Sequence, residues 1–238
     1  MTTAHQVHEH RDLRGGSARA AVFGVSDGLV SNVSLILGVA GAHPSASVVR
    51  LAGLAGLIAG ACSMAVGEYL SVSAQVELTE RELRIERHEI QVRPGKELAE
   101  LVALYESRGV KKETAREVAT ALMADPDQAL EIHAREELGV DPANLGSPIA
   151  AAVSSFVAFV VGAFVPLIPW VTASGKASTT AVVVSIILAA IGAVTIGVVL
   201  ARFTGRPRWR VATRQLLFAA ISAAIAYGVG ALVGVSAT

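Results

Sequence analysis

Charge is scarce in this sequence. Asp, Glu, Lys and Arg make up 17% of its 238 residues, against about 25% in ordinary soluble domains, while hydrophobic residues reach 53%. The deficit is concentrated, since no charged residue occurs in 149–175, 177–201 or 215–238. Apolar runs of that length read as membrane spans, which need roughly 20 residues to cross the hydrocarbon. An ordinary soluble globule and a disordered chain are thereby excluded. Cysteine is nearly absent as well, and the single Cys62 excludes a disulfide scaffold. It reads instead as a small hydrophobe packed in a helix. Also missing are a nucleophile–His–acid constellation, a phosphate-binding glycine loop and any nucleotide motif. The chain is therefore expected not to be an enzyme and to hold no prosthetic group. Membrane topology accounts for its arginine-rich loop, so no nucleic-acid partner is expected.

What is present falls into five apolar segments, near 20–42, 48 to beyond Tyr69, 149–170, 179–201 and 215–235. The expected fold class is an all-α membrane protein: five transmembrane helices with a cytoplasmic helical insert between the second and third. Residues 1–19 form a tail, 20–72 the first two spans, 73–147 the insert and 148–238 the last three spans. The polar start and Asp27 early in the first span predict no cleavable signal peptide. His5, His8 and His10 read as part of a solvated tail. Lys and Arg in short loops set orientation. Arg11, Arg14 and Arg19 precede the first span, and Arg202, Arg206, Arg208, Arg210 and Arg214 separate the fourth from the fifth. The opposite loops hold only Arg50 and Lys176. The N-terminus, insert and arginine-rich loop are expected in the cytoplasm, with the C-terminus outside. Gly53, Gly56 and Gly60 place small residues on one helix face, which lets backbones approach closely within a bundle or across a dimer. Pro166 and Pro169 fall near the outer end of the third span, where a kink or a tapered exit is tolerated.

No helix breaker occurs between Val72 and Arg93, so the second span is expected to run on as a helix until Pro94-Gly95. Further helices are predicted over 96–108 and 111–124, and from Asp125-Pro126 to just before Gly139. Residues 77–141 carry 16 acids and 10 bases, a net of −6, and the rest of the chain is +6. Glu82, Glu86 and Glu89 share one helix face, and Glu97 and Glu100 repeat the step after the turn. Like charges at these spacings cost about 0.2–0.5 kcal/mol per pair. A divalent cation reverses that sign, and oxygen-rich groups suit hard or borderline metals. His133 and Glu137, one turn apart, add a nitrogen and an oxygen. Spacing alone leaves this face open between a metal-collecting site and a solvated one laced with salt bridges, as Glu77–Arg81 and Glu80–Arg84 suggest. A ferritin-type di-iron site is set aside, because no Glu is followed three residues later by His.

Asp27 and Glu68 are the only acids in the spans. A centrally placed acid costs roughly 2.5–3.5 kcal/mol on insertion scales, which makes each a functional candidate. Met64 lies one turn before Glu68, and a thioether beside a carboxylate favours a borderline transition metal. Gap-filling packing is the other reading of Met64.

These pieces occur in a fixed order: Phe23-Gly24-Val25-Ser26-Asp27-Gly28-Leu29, Gly60-Ala61-Cys62-Ser63-Met64-Ala65-Val66-Gly67-Glu68-Tyr69-Leu70, Glu86-x-x-Glu89, Glu97-x-x-Glu100, Glu137-Leu138-Gly139 and Val165-Pro166-Leu167-Ile168-Pro169. Together, over nearly the whole chain, they resemble the vacuolar iron transporter family. The Gly67-Glu68-Tyr69 ending is more similar to bacterial and nodulin-like members than to yeast-type ones. The resemblance implies a five-span homodimer in a lipid bilayer that moves ferrous iron, and often manganese, out of the cytosol in exchange for protons. It implies that Asp27 and Met64 line the path, and that Glu86, Glu89, Glu97, Glu100 and Glu137 collect divalent metal in the insert. Two departures stand out. Gly56 occupies a position where a glutamate is usual, and Glu68, on the Met64 face, is expected to replace it in part. His133 stands where a methionine ligand is usual. The histidine makes that site harder and pH-sensitive, with weaker metal binding expected below about pH 6. A bacterial plasma membrane is the expected location. The alternative is a membrane-anchored metal sensor or buffer without transport.

Overall fold

A computed structural model describes residues 16–236, with side chains from 19 to 234; His5, His8 and His10 lie outside them. The described elements are eight helices: α1 (Gly16–Gly41), α2 (Ala46–Val92), α3 (Pro94–Ser107), α4 (Lys112–Leu122), α5 (Pro126–Glu136), α6 (Pro148–Val171), α7 (Thr179–Thr204) and α8 (Arg208–Ser236). Five of them, α1, α2, α6, α7 and α8, are long and apolar enough to cross a membrane. The chain divides into two compact units. One holds the described residues up to Leu70 together with those from Pro148 onward, and the other is Ser71–Ser147.

In the spanning unit, glycine sets how near the helices come. Gly28 of α1 lies against the Phe159 carbonyl, and Gly162 of α6 lies against the Val25 carbonyl. A Cβ at either would collide with backbone rather than with a side chain able to turn aside. Small residues in reciprocal positions are how helices gain contact in lipid, where the hydrophobic effect does not drive them together. The sequence reading singled out the α2 glycines instead. Gly53 faces Leu167 and Ile36, Gly56 faces Leu35 and Asn32, and Gly60 faces Phe159. That face therefore seats α2 on α1 and α6 of its own chain. Ile36, Leu57, Phe159, Leu167 and Trp170 form the core between them, while Leu51, Ile58, Ile191 and Leu232 remain exposed, as a lipid-facing surface requires.

Several boundaries differ from the sequence expectations. Helix α6 runs through Pro166 and Pro169 to Val171 instead of tapering off. Ser185 of α7 supports that stretch, donating to the Pro166 carbonyl (2.8 Å) and accepting from Trp170 Nε1 (2.8 Å). The carbonyls that the two prolines free are those of Gly162 and Val165, four residues earlier, so this bond ties α7 to α6 without replacing the lost ones. Helix α8 begins at Arg208, seven residues before the charge-free run, because loss of charge marks where lipid exposure starts and not where helix starts. Cys62, expected to be packed, is exposed. On the far side, Ala46 N–H donates to Gly175 O (2.9 Å) and Ala177 N–H to Pro44 O (2.9 Å), joining two loops. Arg50 donates to the Val171 and Ala173 carbonyls at 3.3 and 3.4 Å, capping the end of α6.

The second unit comprises residues 71–92 of α2 with α3, α4 and α5. The interruption expected at Pro94-Gly95 is a single residue, Arg93 (φ −133°, ψ 50°), and α3 starts at Pro94 itself. Proline has no N–H to lose in a first turn, so it opens the helix. Asp125 caps α5, its Oδ1 accepting from Asp127 N–H (2.8 Å) and Gln128 N–H (3.3 Å) ahead of Pro126, the pattern of a side-chain N-cap. Ile90, Ala129 and Leu130, with Leu83 and Met123, form a small core between α2 and α5. Arg87 pairs with Asp127 at 3.4 Å, and Arg108 pairs with Glu136.

Candidate functional site

Buried polar atoms without hydrogen-bond partners occur in both units: Asn32 Oδ1, Ser34 Oγ and Ser155 Oγ in the spanning unit, and Glu86 Oε1, Glu97 Oε1 and His133 Nε2 in the insert. In the spanning unit, Asp27, Ser31 and Leu35 succeed one another at four-residue steps along α1. They line a cavity of about 170 Å³ with Asn32, Gly56, Gly60 and Phe159. Ser31 Oγ turns away to donate to the Asp27 backbone carbonyl (2.6 Å). Asn32 is 2% exposed, and its Nδ2 donates to the Ala163 carbonyl at 2.6 Å. Its Oδ1 is buried with no hydrogen-bond partner. That oxygen faces Gly56, where a Cβ would stand 3.1 Å from it. The cavity thus offers one carboxylate and one free amide oxygen against apolar walls, a donor set for a hard or borderline cation. The glycines at 56 and 60 keep the space open.

The other path residues expected from sequence lie further along α2. Met64 is half-buried and packs against the core cluster. Glu68 is also half-buried, twelve residues beyond Gly56, or about 18 Å at 1.5 Å per residue. Neither lines the cavity. The group opposite the open Gly56 is Asn32, which the sequence marks, with Ser26 and Ser31, only as a further polar group beside Asp27. An amide carries no charge to mark it, although a polar side chain inside an apolar span is itself a signal.

In the insert, α2 supplies Glu86, and the last turn of α5 supplies His133 and Glu137. One donor atom from each lies within 4.8 Å of the others. His133 is fully buried. Its Nδ1 is hydrogen-bonded to Glu137 Oε1 at 3.1 Å and lies 3.2 Å from Glu86 Oε1. That ring nitrogen carries at most one proton, so it satisfies one carboxylate at a time, and Glu86 Oε1 is left buried without a hydrogen bond. Atoms sharing one ion at about 2.0–2.2 Å stand roughly 3 Å apart, the spacing of His133 Nδ1 from each of the two carboxylates. Glu97, from the first turn of α3, is 1% exposed. Its Oε1 is likewise unpartnered by hydrogen bonds, with Lys96 Nζ 3.6 Å away.

Burial pushes the Glu86 carboxyl above the ordinary glutamate range, and Glu97, Glu137 and Glu100 add to the rise while His133 opposes it. Burial also raises Glu97, reinforced by Glu100. Glu100 moves the other way, because Lys96 donates a hydrogen bond to it, at 2.9 Å. Glu89 pairs with Arg93 at 3.2 Å. The structure thus gathers Glu86, His133 and Glu137, buries Glu97, and ties Glu89 and Glu100 to cations of their own.

The VIT family profile matches residues 18–231. A vacuolar iron transporter of Acanthamoeba castellanii is 40% identical over 228 residues, covering 94% of this chain and 82% of that protein. Vacuolar iron transporter 2 of Oryza sativa subsp. japonica is 34% identical, covering 93% and 89%. Vacuolar iron transporter 1 of Eucalyptus grandis is 33% identical, covering 90% and 85%. These relatives are named as transporters and not as enzymes. With five helices fit to cross a membrane and a match running through nearly the whole sequence, the chain is an integral membrane protein belonging to the VIT family.

Proposed function

We propose that the protein transports divalent transition metal, ferrous iron and also manganese, out of the cytosol in exchange for protons. The observation that carries this reading is the cavity of the spanning unit, where Asp27 stands beside the unpartnered oxygen of Asn32. A sensor or buffer has use for the donors of the insert but none for a carboxylate and a free amide oxygen among membrane helices. In this reading Asp27 alternates between metal-bound and protonated states. Met64 and Glu68 hand the ion along α2, and Glu86, His133 and Glu137 gather it from the cytosol with Glu97, Glu89 and Glu100 nearby. Asp27, Ser31 and Leu35 are exposed on the single chain, and a carboxylate on an apolar face is poorly suited to lipid. A homodimer that covers this face is the natural completion. The relatives take their name from the vacuole; for this chain we place the protein in a bacterial plasma membrane, with the N-terminus and insert cytoplasmic and the C-terminus outside. The test is metal uptake into proteoliposomes with an imposed pH gradient, iron and manganese competing. Uptake that follows the gradient and acidifies the opposite side supports exchange. Metal binding with no flux favours the sensor reading.

A further inference from the structure

We propose that the start of α8 carries a binding site for the phosphate-bearing headgroup of an anionic phospholipid. Arg206, Arg210 and Arg214 recur every four residues and converge, with Pro207 and Val211, on a cavity of about 270 Å³. A water in the liquid takes up about 30 Å³, so the space admits a phosphate group with part of the glycerol that bears it. Arg202 and Arg208 stand nearby in sequence but outside the lining. No acid balances this set. The only acids among the described residues of the spanning unit are Asp27 and Glu68, and the ion pairs among the described residues all join groups of the insert.

Like charges one turn apart oppose the helix that holds them, and a bound anion turns that opposition into attraction. Guanidinium groups suit the task because each presents a planar fork that matches two phosphate oxygens. Depth decides between a lipid and a soluble phosphate. The arginines sit where the charge-free run of α8 begins, and Trp209 among them is 66% exposed, with the Arg210 guanidinium 5.2 Å from its ring centre. Exposed tryptophan beside arginine is the mark of the headgroup layer, where clustered basic residues at the end of a span attract lipid phosphates. Charge serving topology alone explains the number of arginines but not why three of them share one cavity.

The experiment uses the full chain in nanodiscs of phosphatidylcholine doped with phosphatidylglycerol, and native mass spectrometry counts the lipid that stays bound. Wild type is expected to retain phosphatidylglycerol selectively, with a several-fold loss in Arg210→Gln/Arg214→Gln. The pair Arg202→Gln/Arg208→Gln removes the same charge outside the cavity and is expected to retain it. Equal loss in both pairs assigns the effect to diffuse charge and overturns the site. Should the glutamine pair fail to insert, Arg210→Lys/Arg214→Lys keeps the charge and loses the fork; reduced retention supports the site and full retention overturns it. Displacement of the lipid by millimolar inorganic phosphate would reassign the cavity to a soluble anion and overturn the lipid reading, whereas its failure to displace supports it.

Discussion

Between 77 and 141 the insert carries 16 acidic residues, most of them exposed and several held by Arg or Lys within 4 Å. The described part of the spanning unit has two acids, Asp27 and Glu68, and coheres through glycine contacts and apolar packing. In the insert, then, a carboxylate is ordinary and its function is invisible until neighbours are assigned. In the spanning unit any carboxylate is costly, so its presence alone is informative. What the two regions share is buried polar atoms without a partner: Asn32 Oδ1, Ser34 Oγ and Ser155 Oγ in one, Glu86 Oε1, Glu97 Oε1 and His133 Nε2 in the other. Such atoms are rare in folded proteins and each calls for an explanation. For Asn32 Oδ1, Glu86 Oε1 and Glu97 Oε1, the oxygens among them that suit a cation as ligands, a bound ion supplies the same explanation on both backgrounds.

The comparison breaks most sharply at Asp27. Asp27→Asn keeps the shape and removes the charge from the cavity. We expect metal flux into proteoliposomes to fall more than about 100-fold, since even outer-shell partners of a metal matter 10–100-fold. Metal binding by the insert, measured by calorimetry on the same preparation, should be unchanged. Loss of both would mean that the two units do not act separately. The reciprocal change is Glu86→Gln, which leaves one carboxylate beside His133 Nδ1. Insert affinity for manganese should fall by about 10–100-fold, while flux at saturating metal stays measurable. Undiminished affinity would show that the ion does not use this cluster.

Much of this division is legible in the sequence. Lipid forbids charge over some twenty residues, so the five spans announce themselves, and the Asp125-Pro126 start of α5 depends only on groups within three residues. Asn32 is different. Its amide is satisfied by the Ala163 carbonyl 131 residues away, and only that pairing aims the other oxygen at Gly56. The α1–α6 approach is hidden for the same reason, because Gly28 and Gly162 acquire meaning from each other's helix. In the insert, the types and spacings of the acids are readable, and part of the selection among them is as well. Glu89–Arg93 and Lys96–Glu100 are both four residues apart, a spacing that pairs opposite charges on a helix. That signal sets Glu86, flanked at four residues by Glu82 and Ile90, apart from Glu89 and Glu100; Glu97 has Arg93 at the same spacing, and only the break at Pro94 separates them.

The spanning unit's dependence on close backbones gives a smaller and more local prediction. In Gly162→Ala the new methyl meets the Val25 carbonyl, which cannot turn aside, and overpacking of this kind costs about 1–3 kcal/mol. Gly67→Ala meets nothing within 4 Å and should be neutral or slightly stabilising, because alanine favours helix by up to about 1 kcal/mol over glycine. Thermal unfolding of both variants in one detergent separates them. Equal melting temperatures would show that glycine contact is not what joins α1 to α6.

The mildest expected effect is the pH dependence of the metal-free insert. Glu86 and Glu97 have carboxyls raised above the ordinary value of 4.5, so the folded insert holds protons that the unfolded chain releases. Their contribution to stability is fully present below pH 4.5 and is lost as pH rises through their raised values. Glu100, lowered by Lys96, contributes in the opposite sense: its share is present above 4.5 and lost only as pH falls through its lowered value. Between pH 4.5 and neutrality the two raised groups therefore set the slope, and the apo insert should loosen as the solution approaches pH 7.5. Manganese at pH 7.5 should restore what protons supply at pH 5, because both neutralise the same buried oxygens. Hydrogen exchange of peptides from 83–92 and 126–137, corrected for intrinsic rates, measures this directly. Protection that rises with pH in the apo protein would show that ion pairs such as Arg87–Asp127 and Arg108–Glu136, and not the buried acids, govern the insert. The same measurement on peptides of α6 and α7, which contain no carboxylate, should be flat across that range, so the two units would differ in their response to protons as they do in their use of charge.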